Sequence, residues 1–131
     1  MVKREVIVTD KAPLPVGPYS QAIKAGNLIF VAGQGPIDPG TRQIIGNTIE
    51  EQTEATLKNI KAILEEAGSS MENVVKVTVY LSSMEDFEAM NKVYSRFFKE
   101  NPPARTTIQA KLWRNIMVEI DAIAVAPDKT F

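Results

Sequence analysis

Three places in this sequence carry side chains suited to chemistry on a small polar molecule. Tyr19 follows a rigid turn, Gly17-Pro18, which would hold its hydroxyl over a pocket. Arg105 follows Pro102-Pro103-Ala104 at the start of a strand, and its planar fork can take a carboxylate through two hydrogen bonds. Glu119 lies in an otherwise apolar strand and, if partly buried, suits general acid/base work. Each also has a plain structural reading. Tyr19 would anchor its loop to the core, Arg105 would be a surface or ion-pair arginine, and Glu119 would share a solvated face with Asp121. Residue pattern alone leaves both sets of readings open.

Absences narrow the chemistry further. The 131 residues include no Cys and no His, which excludes disulfides, cysteine nucleophiles, serine-histidine triads and thiolate or imidazole metal sites within the chain. Catalysis would have to run on carboxylates, Lys, Arg, Tyr, hydroxyls and backbone amides. Gly35 and Gly40 imitate the start of a phosphate-binding loop, but Thr41 stands where its lysine belongs. Gly33-Gln34-Gly35 meets Asp38 where a dinucleotide fingerprint needs its third glycine. No window has the Asp-rich spacing of a calcium loop, and no metal is expected.

Fifteen basic against sixteen acidic residues give a net charge of −1, without the footprint of a nucleic-acid binder. Lys58 with Lys61, and Lys111 with Arg114, read as solvated faces. The longest apolar runs, Leu28 to Ala32 and Ala122 to Ala126, have five residues each, far below a membrane span. The first residues do not read as a secretory leader, so cytoplasm is the expected compartment. Length and 44% apolar content fit a single domain over residues 1–131.

The elements that must position these side chains are legible in outline. Glu5 to Val8 predicts a short strand, and Lys11 to Pro18, with three prolines, interrupts regular structure. Ala22 to Lys24 and Leu28 to Ala32 predict a hairpin about Ala25-Gly26-Asn27, followed by a long loop or wide hairpin to Gly46. Thr48 with Glu51 forms a capping box opening a helix whose buried stripe runs through Thr53, Thr56, Leu57, Ile60, Ile63, Leu64 and Ala67. Gly68 closes it. Val75, Val77, Val79 and Leu81 predict one apolar strand face. Ser83 with Asp86 predicts the cap of a second helix, whose inward stripe is Phe87, Met90, Tyr94 and Phe97 or Phe98. Strands over Ala104 to Ala110 and Met117 to Val125 complete the order β-β-β-α-β-α-β-β.

Two helices cover only one face of such a sheet. The strand carrying Glu119 is apolar on both sides near its end, through Ala122 and Ala124 and through Ile123 and Val125. The uncovered face is therefore expected to pack against other copies of the chain in a closed oligomer.

Taken together and in order, Gly17-Pro-Tyr-Ser-Gln-Ala22, Ala32-Gly-Gln34, Gln52 through Leu64 with Ala67-Gly68, Pro103-Ala-Arg105 and Val118-Glu-Ile-Asp-Ala-Ile-Ala124 closely resemble the RidA/YjgF family of enamine/imine deaminases. The resemblance spans essentially the whole chain. It implies a chorismate-mutase-like α+β fold, a mixed β-sheet with two helices on one face, and a homotrimer with pockets between subunits. It also implies cofactor-free hydrolysis of 2-aminoacrylate and related 2-imino acids, such as 2-iminopropanoate and 2-iminobutanoate, to 2-keto acids and ammonia. On this resemblance Arg105 would grip the substrate carboxylate, aided by backbone amides near Gly33 and Thr107. Glu119 would handle water and return a proton to nitrogen, Tyr19 would close the pocket, and Asn91 would lie near it.

The sequence departs from the family pattern at three positions. Ala32 stands where many relatives have Ser, Thr107 where some have Cys, and Leu112-Trp113 where Leu-Pro is usual. These changes bear on substrate preference more than on reaction class. Two other readings accompany the deaminase: a non-catalytic binder of 2-keto acids using the same arginine, and, more weakly, an endoribonuclease. The second lacks a histidine and a basic groove.

Overall fold

The computed structural model describes residues 2–127. Six strands form one mixed sheet in the order β1-β2-β3-β6-β4-β5. The first three, β1 (Arg4–Ile7), β2 (Ala22–Ala25) and β3 (Leu28–Gln34), run antiparallel in succession. The sixth, β6 (Val118–Val125), lies antiparallel between β3 and β4 (Val74–Leu81), so those two strands run in the same direction. At the far edge β5 (Ala104–Gln109) pairs parallel with β4, through the crossover helix that such a pair requires.

Both helices pack on one face. The capping box of α1 (Ile49–Glu66) forms as expected, with the Thr48 hydroxyl accepting from the Glu51 amide at 3.1 Å and the Glu51 carboxylate reaching back. Gly68, at φ +81°, follows its end in the left-handed conformation that a side chain would resist. Leu57, Ile60, Ile63 and Leu64 of α1 meet Val77, Val79, Leu81, Val118 and Ile120 of the sheet in one core, with Met90 and Tyr94 of α2 (Phe87–Phe97).

Two local expectations are corrected. Ser83 caps a short 3-10 turn, Met84–Asp86, by accepting from the Glu85 amide, and the Asp86 side chain makes no cap bond to α2. The chain turns once before the α-helix starts, so the cap falls one element early. Val75 also leaves the apolar face: the β4–β6 register shifts between Val74 and Lys76, turning Val74 inward and leaving Val75 45% exposed. The extra residue reverses the alternation at that point.

The opposite face of the sheet carries no helix. Across it Val6, Ile23, Phe30 and Ile123 occupy successive register positions on β1, β2, β3 and β6. Phe30 is 43% and Val6 55% exposed, so an apolar row faces outward where the sequence predicted an uncovered face.

Candidate functional site

A groove of about 590 Å³ opens at the end of this uncovered face, between β3, the Pro13–Tyr19 loop, the Arg42 turn and the Trp113–Asn115 turn. Its floor is made by an irregularity. Val31 faces Ala122 and Gln34 faces Ile120, so three steps on β3 match two on β6, and the extra residue is a β-bulge at Ala32-Gly33. Glu119 lies over that bulge. A Cβ built on Gly33 would overlap Glu119 Oε2 and stand 3.0 Å from its Cδ, so this close approach requires glycine.

Loop closure depends on buried amides. Gln21 accepts from the Thr9 amide at 2.8 Å and donates to the carbonyls of Thr9, Ala12 and Pro13, fixing the segment that leads into the groove wall. From α1, Asn59 donates to the carbonyls of Gly35 and Ile37, each at 3.0 Å. Gln52 donates to the Gly46 carbonyl and accepts from the Met117 amide at 2.8 Å, holding the entry to β6. On the other side of the bulge, Asp38 binds the amides of Gly40 and Thr41 and the Thr41 hydroxyl, closing the tip of the hairpin that the Ile37–Ile44 bridge defines.

The electrostatics single out Glu119. Burial pushes its carboxyl above the ordinary value of 4.5, and the charge of Asp121 on the same face adds to the shift. Asp121 itself accepts from the Tyr80 hydroxyl at 2.9 Å, a bond that raises the Tyr80 pKa. A carboxyl held up in this way exchanges protons nearer to neutrality than a free one. Tyr19 lines the same groove half-exposed, and its hydroxyl oxygen accepts from the Val16 amide at 3.2 Å, leaving the hydroxyl proton to donate elsewhere. It is a groove residue rather than a core anchor.

Arg105 lies elsewhere. Along β5 it pairs with Val77, and Thr107 pairs with Val79, so both point to the helix-covered face. The Arg105 guanidinium stacks over Tyr94 at 4.7 Å and over Phe87 at 5.6 Å from the ring centroids. On the same side of the sheet the Tyr94 hydroxyl, Asn91 Oδ1 and Thr107 Oγ1 are buried without a hydrogen-bond partner among the described residues. Burial raises the Tyr94 pKa, and the positive Arg105 opposes that shift. The chain thus gathers Tyr19, Gly33 and Glu119 in the groove, and Arg105, Thr107 and Asn91 on the opposite side of the sheet, near its β5 edge.

Several residues escaped sequence reasoning. Arg42 and Arg114 line the groove, where Arg114 had read as part of a solvated pair. The spacing of Phe87 and Tyr94 predicts the inward stripe of α2, but no pattern signals their stacking on Arg105. Gln52 and Asn59 carried a usable signal, since both are amides that interrupt a buried helical stripe.

Comparison with known proteins agrees with this architecture. The Endoribonuclease L-PSP family profile matches residues 9–126. A RutC family protein of Pyrococcus abyssi is 57% identical over 122 residues, covering 92% of this chain and 96% of that one. Reactive Intermediate Deaminase A, chloroplastic, of Arabidopsis thaliana is 44% identical over 124 residues, covering 94% and 66% of the two chains. A crystal structure from Thermotoga maritima, described as a putative endoribonuclease, superposes with a TM-score of 0.91 at 51% identity, over 95% of this chain and 98% of that one. Fold and groove define an α+β protein with two helices backing a mixed sheet, a fold shared with the Thermotoga structure. The chain belongs to the RidA/YjgF family.

Proposed function

We propose that this protein hydrolyses reactive 2-imino acids, the tautomers of enamines such as 2-aminoacrylate, to 2-keto acids and ammonia. The observation that carries the reading is the half-buried Glu119 carboxyl, with its raised pKa, seated on the Gly33 bulge in a groove of substrate size. The deaminase name of the Arabidopsis relative supports it.

The reaction asks little of the protein. A conjugated imine is already electrophilic, so the barrier falls mainly through orientation and proton transfer. Ionised Glu119 takes a proton from water as the oxygen adds to the imine carbon, giving a tetrahedral 2-amino-2-hydroxy acid. The protonated carboxyl then returns that proton to nitrogen. The carbon–nitrogen bond breaks, ammonia leaves, and the hydroxyl gives its proton to the Glu119 carboxylate as it becomes the keto group, a proton that ammonia then carries away as ammonium. Tyr19 closes over the ligand with its free hydroxyl proton. No cofactor takes part.

The substrate carboxylate needs a cation, and Arg105 is our assignment. Its stacking on two rings pre-orients the guanidinium, and the unpartnered oxygens of Asn91 and Thr107 suit a ligand's polar groups. Because Arg105 and Glu119 lie on opposite faces, we place the complete site between copies, in a homotrimer that buries the Val6–Ile123 row.

The test couples an amino-acid oxidase, which releases 2-imino acids, to semicarbazide, which traps them as a chromophore. Wild-type protein should slow semicarbazone formation by removing the imine first. Arg105→Ala and Glu119→Gln should lose that effect, with Glu119→Gln still binding pyruvate by calorimetry. No competition by wild type across several side chains would sink the deaminase in favour of a keto-acid binder.

A further inference from the structure

The groove holds more positive charge than the proposed reaction uses. Arg42 and Arg114 reach it from two separate turns, both with backbones in the left-handed region, at φ 64° and φ 54°. Arg114 stacks over the Trp113 ring at 4.9 Å, and its Nη1 donates to the Arg42 carbonyl at 3.3 Å, so the two turns are joined. Neither arginine meets a carboxylate: among the described residues the only ion pair within 4.0 Å is Lys58 with Glu54. Asp38, the acid closest in sequence to Arg42, is occupied by the amides and hydroxyl of its own turn, which lower its pKa.

We propose that Arg42 and Arg114 form a second anion subsite, which selects 2-imino acids bearing a carboxylate on the side chain. The inference rests on the deaminase reading and names the substrate class of that site. Two arginines and a single carboxylate line the groove, which leaves it net positive, and a dicarboxylic ligand supplies the second anion. Trp113 braces Arg114 by stacking, so the side chain that departs from the family pattern here orients a charge rather than merely narrowing the groove.

The measurement is the ratio of kcat/KM for the imine derived from glutamate to that for the imine derived from alanine. Wild type should favour the glutamate-derived imine, and the ratio should fall at least tenfold in Arg42→Gln with Arg114→Gln. Unchanged ratio, or equal loss on both substrates, overturns the subsite. So does a variant that fails to assemble in sedimentation without a changed ratio, because the arginines then belong to a subunit contact. A readout free of variants and of turnover is calorimetry on wild type: 2-oxoglutarate should bind at least tenfold tighter than pyruvate, with the excess shrinking at high salt. Equal affinities defeat the subsite even in an active deaminase. A strong preference in a protein that turns over neither imine keeps the subsite and removes the deaminase.

Discussion

At Glu119 burial and the charge of Asp121 act in the same direction, and both favour the protonated carboxyl. A group that must be ionised to take a proton from water then loses activity as pH falls through that raised pKa. The acid limb of kcat/KM should accordingly lie above the range of a free carboxylate. Replacing Asp121 by Asn removes the like charge, lowers the Glu119 pKa and should move the limb to lower pH. A limb that stays put, measured across a buffered series with one substrate, assigns the titration to another group. The sequence exposed Glu119 as an acid in a mostly apolar strand, with Asp121 beside it on the same face, and only the family resemblance favoured an acid/base role over a solvated one. It did not expose Arg42 or Arg114, because an exposed arginine in a turn has the same local pattern whether it faces bulk water or a groove.

Helix α1 holds the groove's backbone from behind through Gln52 and Asn59, while the bulge in β3 sets its floor. Asn59→Ala would strip the donor from the Gly35 and Ile37 carbonyls. Leaving such groups without partners costs about 1–3 kcal/mol. The variant should shift the urea midpoint downward with an unchanged slope, and imine turnover should fall because the strand beneath Glu119 loses its tether. Turnover at the wild-type level in the destabilised protein would separate the tether from the site. The order and type of the elements were legible because α1 and β4 have strong periodicities and α1 has a full capping box. The bulges at Ala32-Gly33 and near Val75 were not, since an inserted residue is defined by the partner strand, and pairing is a long-range property.

For the molecule as a whole, the separation of Arg105 from Glu119 by the thickness of the sheet makes a sharp prediction. If the site forms between copies, two inactive proteins should rescue each other. Arg105→Ala and Glu119→Gln, unfolded together in equal amounts and refolded, should regain about a quarter of wild-type activity, the fraction of interfaces drawing an intact residue from each copy. Absence of recovery, with mixed trimers demonstrated by mass spectrometry, would place both residues in one protomer's site. An uncovered face was foreseeable from counting two helices against a sheet, but which residues met across it was not. Among the described elements β6 follows all the others in the chain, yet it is the strand that joins β3 to β4. During synthesis the β1–β3 meander and the β4–β5 pair therefore emerge with two open hydrogen-bonding edges and no common sheet. Val118 to Val125 closes both edges at once and carries Glu119 with it, so a chain cut short before this strand lacks the acid and retains two adhesive edges that quality control can recognise.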